Sequence, residues 1–169
     1  IGAIIVVFAL FTALNKNFLT WTNMINLMVA ASLVGLVAVG HTYLLIAGQN
    51  DLSPGSLAAF CGTLAALLLS KDMPMIVAII IVLLAGVLVG LFNAWMVNKI
   101  KLEAFIATLV TQNIIRGFAY IICDGKPVSI SNKAYLAIGK ARFLTIPVSV
   151  WLMILAFVIF GFVLAKTKF

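Results

Sequence analysis

The residues best placed to do chemistry are polar groups set inside apolar sequence. Gln49-Asn50-Asp51-Leu52-Ser53 follows a long apolar run and leads into Pro54 and Gly55. Further on, Thr108, Gln112, Arg116 and Tyr120 recur every four residues, with Thr111 beside them. That spacing lays side chains along one slowly drifting stripe of a helix. The chemistry suggested is not catalysis. No His/Asp/Glu cluster, phosphate-binding loop, nucleophile elbow or dinucleotide fingerprint occurs. Cys61 and Cys123 have neither metal-ligand nor disulfide-framework spacing and read as small buried hydrophobes. The sequence therefore assigns no catalytic residue, no metal and no cofactor to this chain. What remains is hydrogen bonding by amides, hydroxyls and a carboxylate in apolar surroundings, where unpaired polar groups are costly.

The surroundings follow from composition. Apolar residues make up 65% of the 169 and charged residues 9%, where a soluble domain carries roughly a quarter charged. The chain reads as all-α, a polytopic transmembrane helical bundle whose solvent is the lipid bilayer. The net charge of +7 implies no nucleic-acid partner, because the Lys and Arg fall in or beside the gaps between apolar runs, Arg116 excepted. The chain opens at Ile1 inside an apolar run, without an initiator Met, and stops after a basic tail. It is read as a piece of a longer protein.

About six membrane segments are expected, at 1–14, 25–47, 54–70, 75–97, 104–123 and 147–165. Asn15-Lys16-Asn17 closes the first, and Trp21 is expected at headgroup level in a short interfacial connection. The second spans about 34 Å at 1.5 Å per residue, enough for a hydrocarbon core of about 30 Å. It carries Ala31, Gly35, Ala38 and Gly40, the third carries Ala58, Gly62 and Ala66, and the fourth carries Gly86 and Gly90. Small residues at such spacings predict close helix packing in lipid. His41 reads as an interhelical hydrogen-bonding group. The stretch from Asp124 to about Ile146 reads as a solvated surface loop.

The third segment is about 25 Å long, short for a span unless it starts inside the bilayer. Residues 47–56 are therefore expected to be non-helical backbone at membrane depth, which is tolerated only where protein or a wet cavity covers it. Proline at 54 disfavours the α region for Ser53 and suits the first position of a new helix. Ser53 then reads as the N-cap, its hydroxyl accepting a first-turn N–H. Asp51 lies near that helix end, either satisfying it or taking part in a transport path. On the fifth segment, Thr108 and Gln112 are read as interhelical hydrogen bonders or as lining of a wet path. Arg116 either snorkels to the interface or pairs with Asp124 or Asp51.

Asp51-Leu52-Ser53-x-Gly55-Ser56 resembles a signature of the ribose-type branch of ABC sugar-transporter permeases. Phe105-Ile106-Ala107-Thr108-Leu109, Ile115-Arg116-Gly117 and Gly125-Lys126-Pro127-Val128 resemble that family's second signature. The similarity runs over essentially the whole chain. Pro54 stands where the family has a small aliphatic residue, and Gln49 and Asn50 replace a glycine and aliphatic pair, where selectivity could be set.

The resemblance implies about ten helices in the complete permease, of which residues 1–169 are an N-terminal part forming one transmembrane permease domain. The ATPase-coupling segment is expected after Phe169. It implies a non-enzymatic subunit in a bacterial inner membrane, working with a second permease copy or paralogue. The implied partners are a cytoplasmic ATPase pair, which binds ATP and Mg, and a periplasmic or lipid-anchored sugar-binding protein. Asn50, Asp51, Ser53, Thr108, Thr111, Gln112 and Arg116 are the expected path residues for a monosaccharide. Pro54, Gly55, Gly125 and Pro127 are expected to shape the backbone. Family topology puts the long loop outside and Lys166 and Lys168 inside. A count of positive charges, six on the loop's side against four, points the other way. The alternative is a secondary transporter driven by an ion gradient, with Asp51 and Arg116 as coupling charges.

Overall fold

The computed structural model describes residues 2–130 and 132–167. Lys168 and the segment expected after Phe169 lie outside the described residues. The order is α1 (Gly2–Leu14), α2 (Trp21–Ile46), α3 (Pro54–Ser70), α4 (Met75–Asn98), α5 (Ala104–Ile122), α6 (Lys133–Lys140), β1 (Arg142–Phe143), β2 (Ile146–Pro147) and α7 (Val148–Lys166). Helices α2, α4, α5 and α7 are long and apolar enough to cross a membrane, and α1 and α3 are shorter apolar helices. The protein is a multi-pass membrane protein.

Helix ends follow local backbone chemistry. α2 stops at Gly48, whose φ is +70°. The Gly48 N–H donates to Leu45 O at 3.0 Å and the Gln49 N–H to Leu44 O at 2.8 Å. That pair of bonds satisfies last-turn carbonyls, and glycine takes the left-handed position without steric cost. The same pair closes α3 through Asp72 and Met73, and α5 through Asp124 and Gly125. Gly125 also has positive φ, +65°. α2 begins earlier than expected, at Trp21, because the Thr20 carbonyl accepts the Met24 N–H and extends the helix.

The 124–146 stretch is not structureless. Asn132 caps α6, its Oδ1 accepting the Tyr135 N–H at 3.1 Å. A two-residue antiparallel ladder then pairs Arg142 with Pro147 and Phe143 with Ile146. Its turn residues, Leu144 and Thr145, have φ of +50° and +68°. A turn of that kind usually announces itself by Asn-Gly, which this sequence lacks. Trp151 offsets the strain by donating its Nε1–H to Phe143 O at 3.2 Å and packing edge-on against the Phe143 ring.

Two compact units result. In the unit of residues 40–138, α3 packs on α4 and α5, and α4 on α5. Its buried positions are mostly small: Ala65, Ala66, Ala78, Ala104, Ala107 and Ala119. Its exposed positions include Leu83, Leu84, Leu88 and Leu91. Small inside and large outside is what lipid favours, since hydrophobicity gives no net drive between helices there.

The other unit contains the described residues of 1–39 and 139–169. In it, α2 approaches α7 so closely that a Cβ at Gly35 would collide with Met153 Sδ. Among the glycines singled out for close packing, this one alone has such an approach. A Cβ at Gly40, Gly62, Gly86 or Gly90 would meet nothing within 4 Å. The Ala58–Gly62 face of α3 instead lines a cavity of about 390 Å³ beside Lys126, Pro127 and Val128. Of the expected face only Ala66 is buried, together with Ser56, Ala65 and Leu69.

Gly35→Leu is therefore expected to lower the thermal midpoint of the detergent-solubilised protein, with an overpacking cost of about 1–3 kcal/mol. Met153→Ala in the same chain should recover most of it. Equal midpoints for Gly35→Leu and wild type would show that this approach does not matter.

Candidate functional site

Residues 47–53 leave the helical path between α2 and α3. Four side chains hold this break. Asp51 Oδ1 accepts both the Ser53 N–H and the Ser53 hydroxyl, each at 2.7 Å. On α5, Thr108 Oγ1 accepts the Leu52 N–H at 3.1 Å and donates to Ala104 O at 2.7 Å. On α4, Asn93 Nδ2 donates to Ser53 Oγ at 3.2 Å. From the end of α2, His41 Nε2 lies 2.7 Å from the Asp51 carbonyl. A carbonyl only accepts, so Nε2 carries the proton. His41 is thus a hydrogen-bonding group, as its sequence context suggests, and its acceptor is the break itself.

Ser53 corrects two expectations. Its φ and ψ are −74° and −21°, helical values despite the following proline, and its hydroxyl makes no cap bond to the first turn. The reason is competition. The carboxylate of Asp51 takes the hydroxyl proton, and a charge-assisted bond is stronger than a bond to a first-turn amide. Pro54 still opens α3, and the Ser53 carbonyl accepts the Leu57 N–H at 2.9 Å.

A cavity of about 580 Å³ adjoins the break. Its polar lining is Gln49, Asn50, Asp51, Asn93, Asn98 and Thr108, among apolar residues including Leu44, Gly90 and Val97. Among the described residues no Lys or Arg lines it, and Asp51 is its one acidic residue. A second cavity, about 330 Å³, is lined by Phe60, Phe92, Phe118, Ile115 and other apolar residues, with Thr111 as its one hydroxyl.

The structure thus brings Asn50, Asp51, Ser53 and Thr108 together and sets the other three expected site residues apart. Thr111 is buried at the apolar cavity, its hydroxyl donating to Ala107 O at 3.0 Å. Gln112 is half-buried and Arg116 exposed. Among the described residues Arg116 makes no ion pair with Asp51 or Asp124; Asp51 is engaged by Ser53 instead. Geometry explains the separation. At about 100° per residue, the buried side of α5 lies within about 60° of Ala104, whereas Gln112, Arg116 and Tyr120 fall at about 80°, 120° and 160°. A four-residue repeat drifts out of the interface. Of the backbone-shaping residues, Gly55 has open space at its Cα and Pro127 lines the cavity of about 390 Å³ beside α3.

Asn93 escaped sequence reasoning as a site residue. The available signal was its position as an amide inside the apolar run of α4, ahead of the Asn98 that ends the helix. Its buried partner, Ser53, is 40 residues away in sequence.

Residues 23–169 match the family described as branched-chain amino acid transport system / permease component. The chain is 35% identical to a ribose import permease protein of Haemophilus influenzae over 98% of this chain and 52% of the relative. It is 34% identical to an L-arabinose ABC transporter permease protein of Azospirillum brasilense over 99% and 50%. It is 39% identical to an L-arabinose transport system permease protein of Escherichia coli over 90% and 47%. The chain spans about half the length of the curated relatives it matches. No solved structure matches it.

Asp51→Ala should destabilise the protein by about 3 kcal/mol, because two hydrogen bonds to a carboxylate are lost. Asp51→Asn keeps an acceptor and should cost about half as much. Thermal unfolding in lipid nanodiscs reads both. An unchanged midpoint for Asp51→Ala would remove Asp51 as the anchor of the break.

Proposed function

The chain belongs to the branched-chain amino acid transport system / permease component family, and from that premise we propose that it is the membrane-spanning permease subunit of an ATP-driven importer of a monosaccharide. The observation that carries the choice of cargo is the lining of the cavity of about 580 Å³. Its volume lies within the usual range for small-molecule sites, about 300–1,000 Å³. Side-chain amides dominate its polar surface, and each amide both donates and accepts, as a sugar hydroxyl does. A zwitterionic amino acid would need a cation opposite its carboxylate, and among the described residues no Lys or Arg lines the cavity. The chain's similarity to ribose and arabinose permeases supports the same reading.

In this reading the break and the adjoining faces of α4 and α5 line the path. Gln49 and Asn50 at its edge meet the cargo, while Asp51, Ser53 and Thr108 hold the backbone that shapes it. Thr111, Gln112 and Arg116, expected on the path from the sequence, lie off this cavity and have at most an indirect effect on it. Weak, plural hydrogen bonds let a hydroxyl-rich solute enter and leave. ATP and Mg act in a separate cytoplasmic ATPase pair, whose cycle alternates the permease between outward- and inward-open states. A second permease copy or paralogue completes the pore, and a periplasmic or lipid-anchored binding protein delivers the sugar to the bacterial inner membrane. No observation favours the ion-gradient alternative, since Asp51 is engaged by Ser53 and Arg116 is exposed.

The test is uptake of radiolabelled ribose and arabinose by proteoliposomes holding the full-length permease, its ATPase and its binding protein. Uptake should require internal ATP, survive a protonophore, and be competed by pentoses and not by leucine or valine. Uptake that collapses with the protonophore, or that leucine competes, would overturn the proposal. In the same vesicles Gln112→Leu should change the rate by less than about threefold, as expected for a half-buried residue off the cavity.

A further inference from the structure

We propose that Asn93 is a specificity-determining residue of this carrier, its side-chain carbonyl accepting a hydrogen bond from one hydroxyl of the cargo. The inference rests on the sugar-import reading and assigns a selectivity contact within it.

The Ser53 hydroxyl donates to Asp51 Oδ1 at 2.7 Å, so its proton points at Asp51. Ser53 Oγ then has only lone pairs left for its other neighbour. The Asn93 amide must therefore turn its N–H₂ toward Ser53, as the 3.2 Å contact from Nδ2 requires. The opposite amide orientation would set two acceptors against each other. Asp51 thus fixes the orientation of an amide that it does not touch in any hydrogen bond described above.

The consequence is an acceptor left over. Asn93 is 7% exposed, and its Oδ1 is buried without a hydrogen-bond partner among the described residues. Buried polar atoms in folded proteins are overwhelmingly paired, so an orphan calls for an explanation. Asn93 lines the polar cavity, and with Nδ2 held by Ser53 the part of its amide left over for a solute there is Oδ1. Of the other inner groups, the Thr108 hydroxyl is taken by Leu52 and Ala104, and Asp51, itself only half-buried, commits Oδ1 to Ser53. Gln49 is half-buried, and Asn50 and Asn98 are exposed. Asn93 is therefore the most deeply set group with an acceptor to spare. A site group that waits unpaired for a substrate hydroxyl discriminates strongly against analogues lacking it.

The experiment compares uptake of ribose and arabinose with uptake of their monodeoxy analogues in proteoliposomes of the full transporter. The ratio of parent to deoxy sugar is taken for wild type, Asn93→Ala and Ser53→Ala. Comparing variants cancels the binding protein's own preference. Wild type should disfavour one deoxy position by roughly tenfold, the factor carried by one net hydrogen bond. Asn93→Ala should bring that ratio close to one. Ser53→Ala, which removes the pin and frees the amide to turn over, should slow every sugar and lower the ratio only part of the way toward one. If Asn93 only pins Ser53, both variants slow all sugars uniformly with the ratio intact, and the inference is overturned. Should Asn93→Ala fail to assemble, Asn93→Ser reads the same ratio. Wild-type vesicles that accumulate neither sugar would instead overturn the import reading itself.

Discussion

Asp51 Oδ1 and the two Ser53 hydrogens that converge on it are the contact from which the rest of the site follows. In an apolar chain, backbone that leaves the helix must find partners inside the protein, because lipid offers none. The Ser53 N–H finds the Asp51 carboxylate, and the Leu52 N–H finds the Thr108 hydroxyl. His41 supplies the donor for the Asp51 carbonyl. With those bonds made, the break is a fixed structural feature flanked by two ordinary helix ends, Gly48 behind it and Pro54 ahead. Its proton order propagates outward through Ser53 to Asn93, so one carboxylate sets the polarity of a wall it only partly forms.

The cavity wall beside this carboxylate is mostly amide: Gln49, Asn50, Asn93 and Asn98 line it with Asp51 and Thr108, and among the described residues no cationic side chain does. The family description speaks of branched-chain amino acids, and the relatives' names speak of pentoses. Fold and function separate at this level, because a shared bundle accommodates different cargo by changing a few lining residues.

Helix α5 shows how a four-residue repeat divides its labour. Thr108 faces the break, Gln112 sits at the margin, and Arg116 and Tyr120 face outward. Thr111 turns toward an apolar space walled by phenylalanines. The seven residues expected at one site therefore belong to distinct environments. The close-packing faces behave similarly. Gly35 meets α7, while Gly62, Gly86 and Gly90 have no side-chain neighbour close enough to require glycine.

Sequence alone determined the membrane character, the extents of α3, α4, α5 and α7 to within a residue or so, and the break with proline opening α3. These are local or summed properties. Hydropathy accumulates along the chain, and proline restricts only its own and the preceding residue. The α6 turn and the small ladder escaped because their signals are weak, an Asn cap and a turn without glycine. Only the tertiary structure decided that Ser53 serves Asp51 and not its own helix, that Asn93 joins the site, and that Arg116 leaves it. Those outcomes depend on pairings between residues as far as 56 apart in sequence. Such pairings are set by how far each helix rotates about its own axis as it packs. A rotation of that kind leaves no trace in composition or spacing.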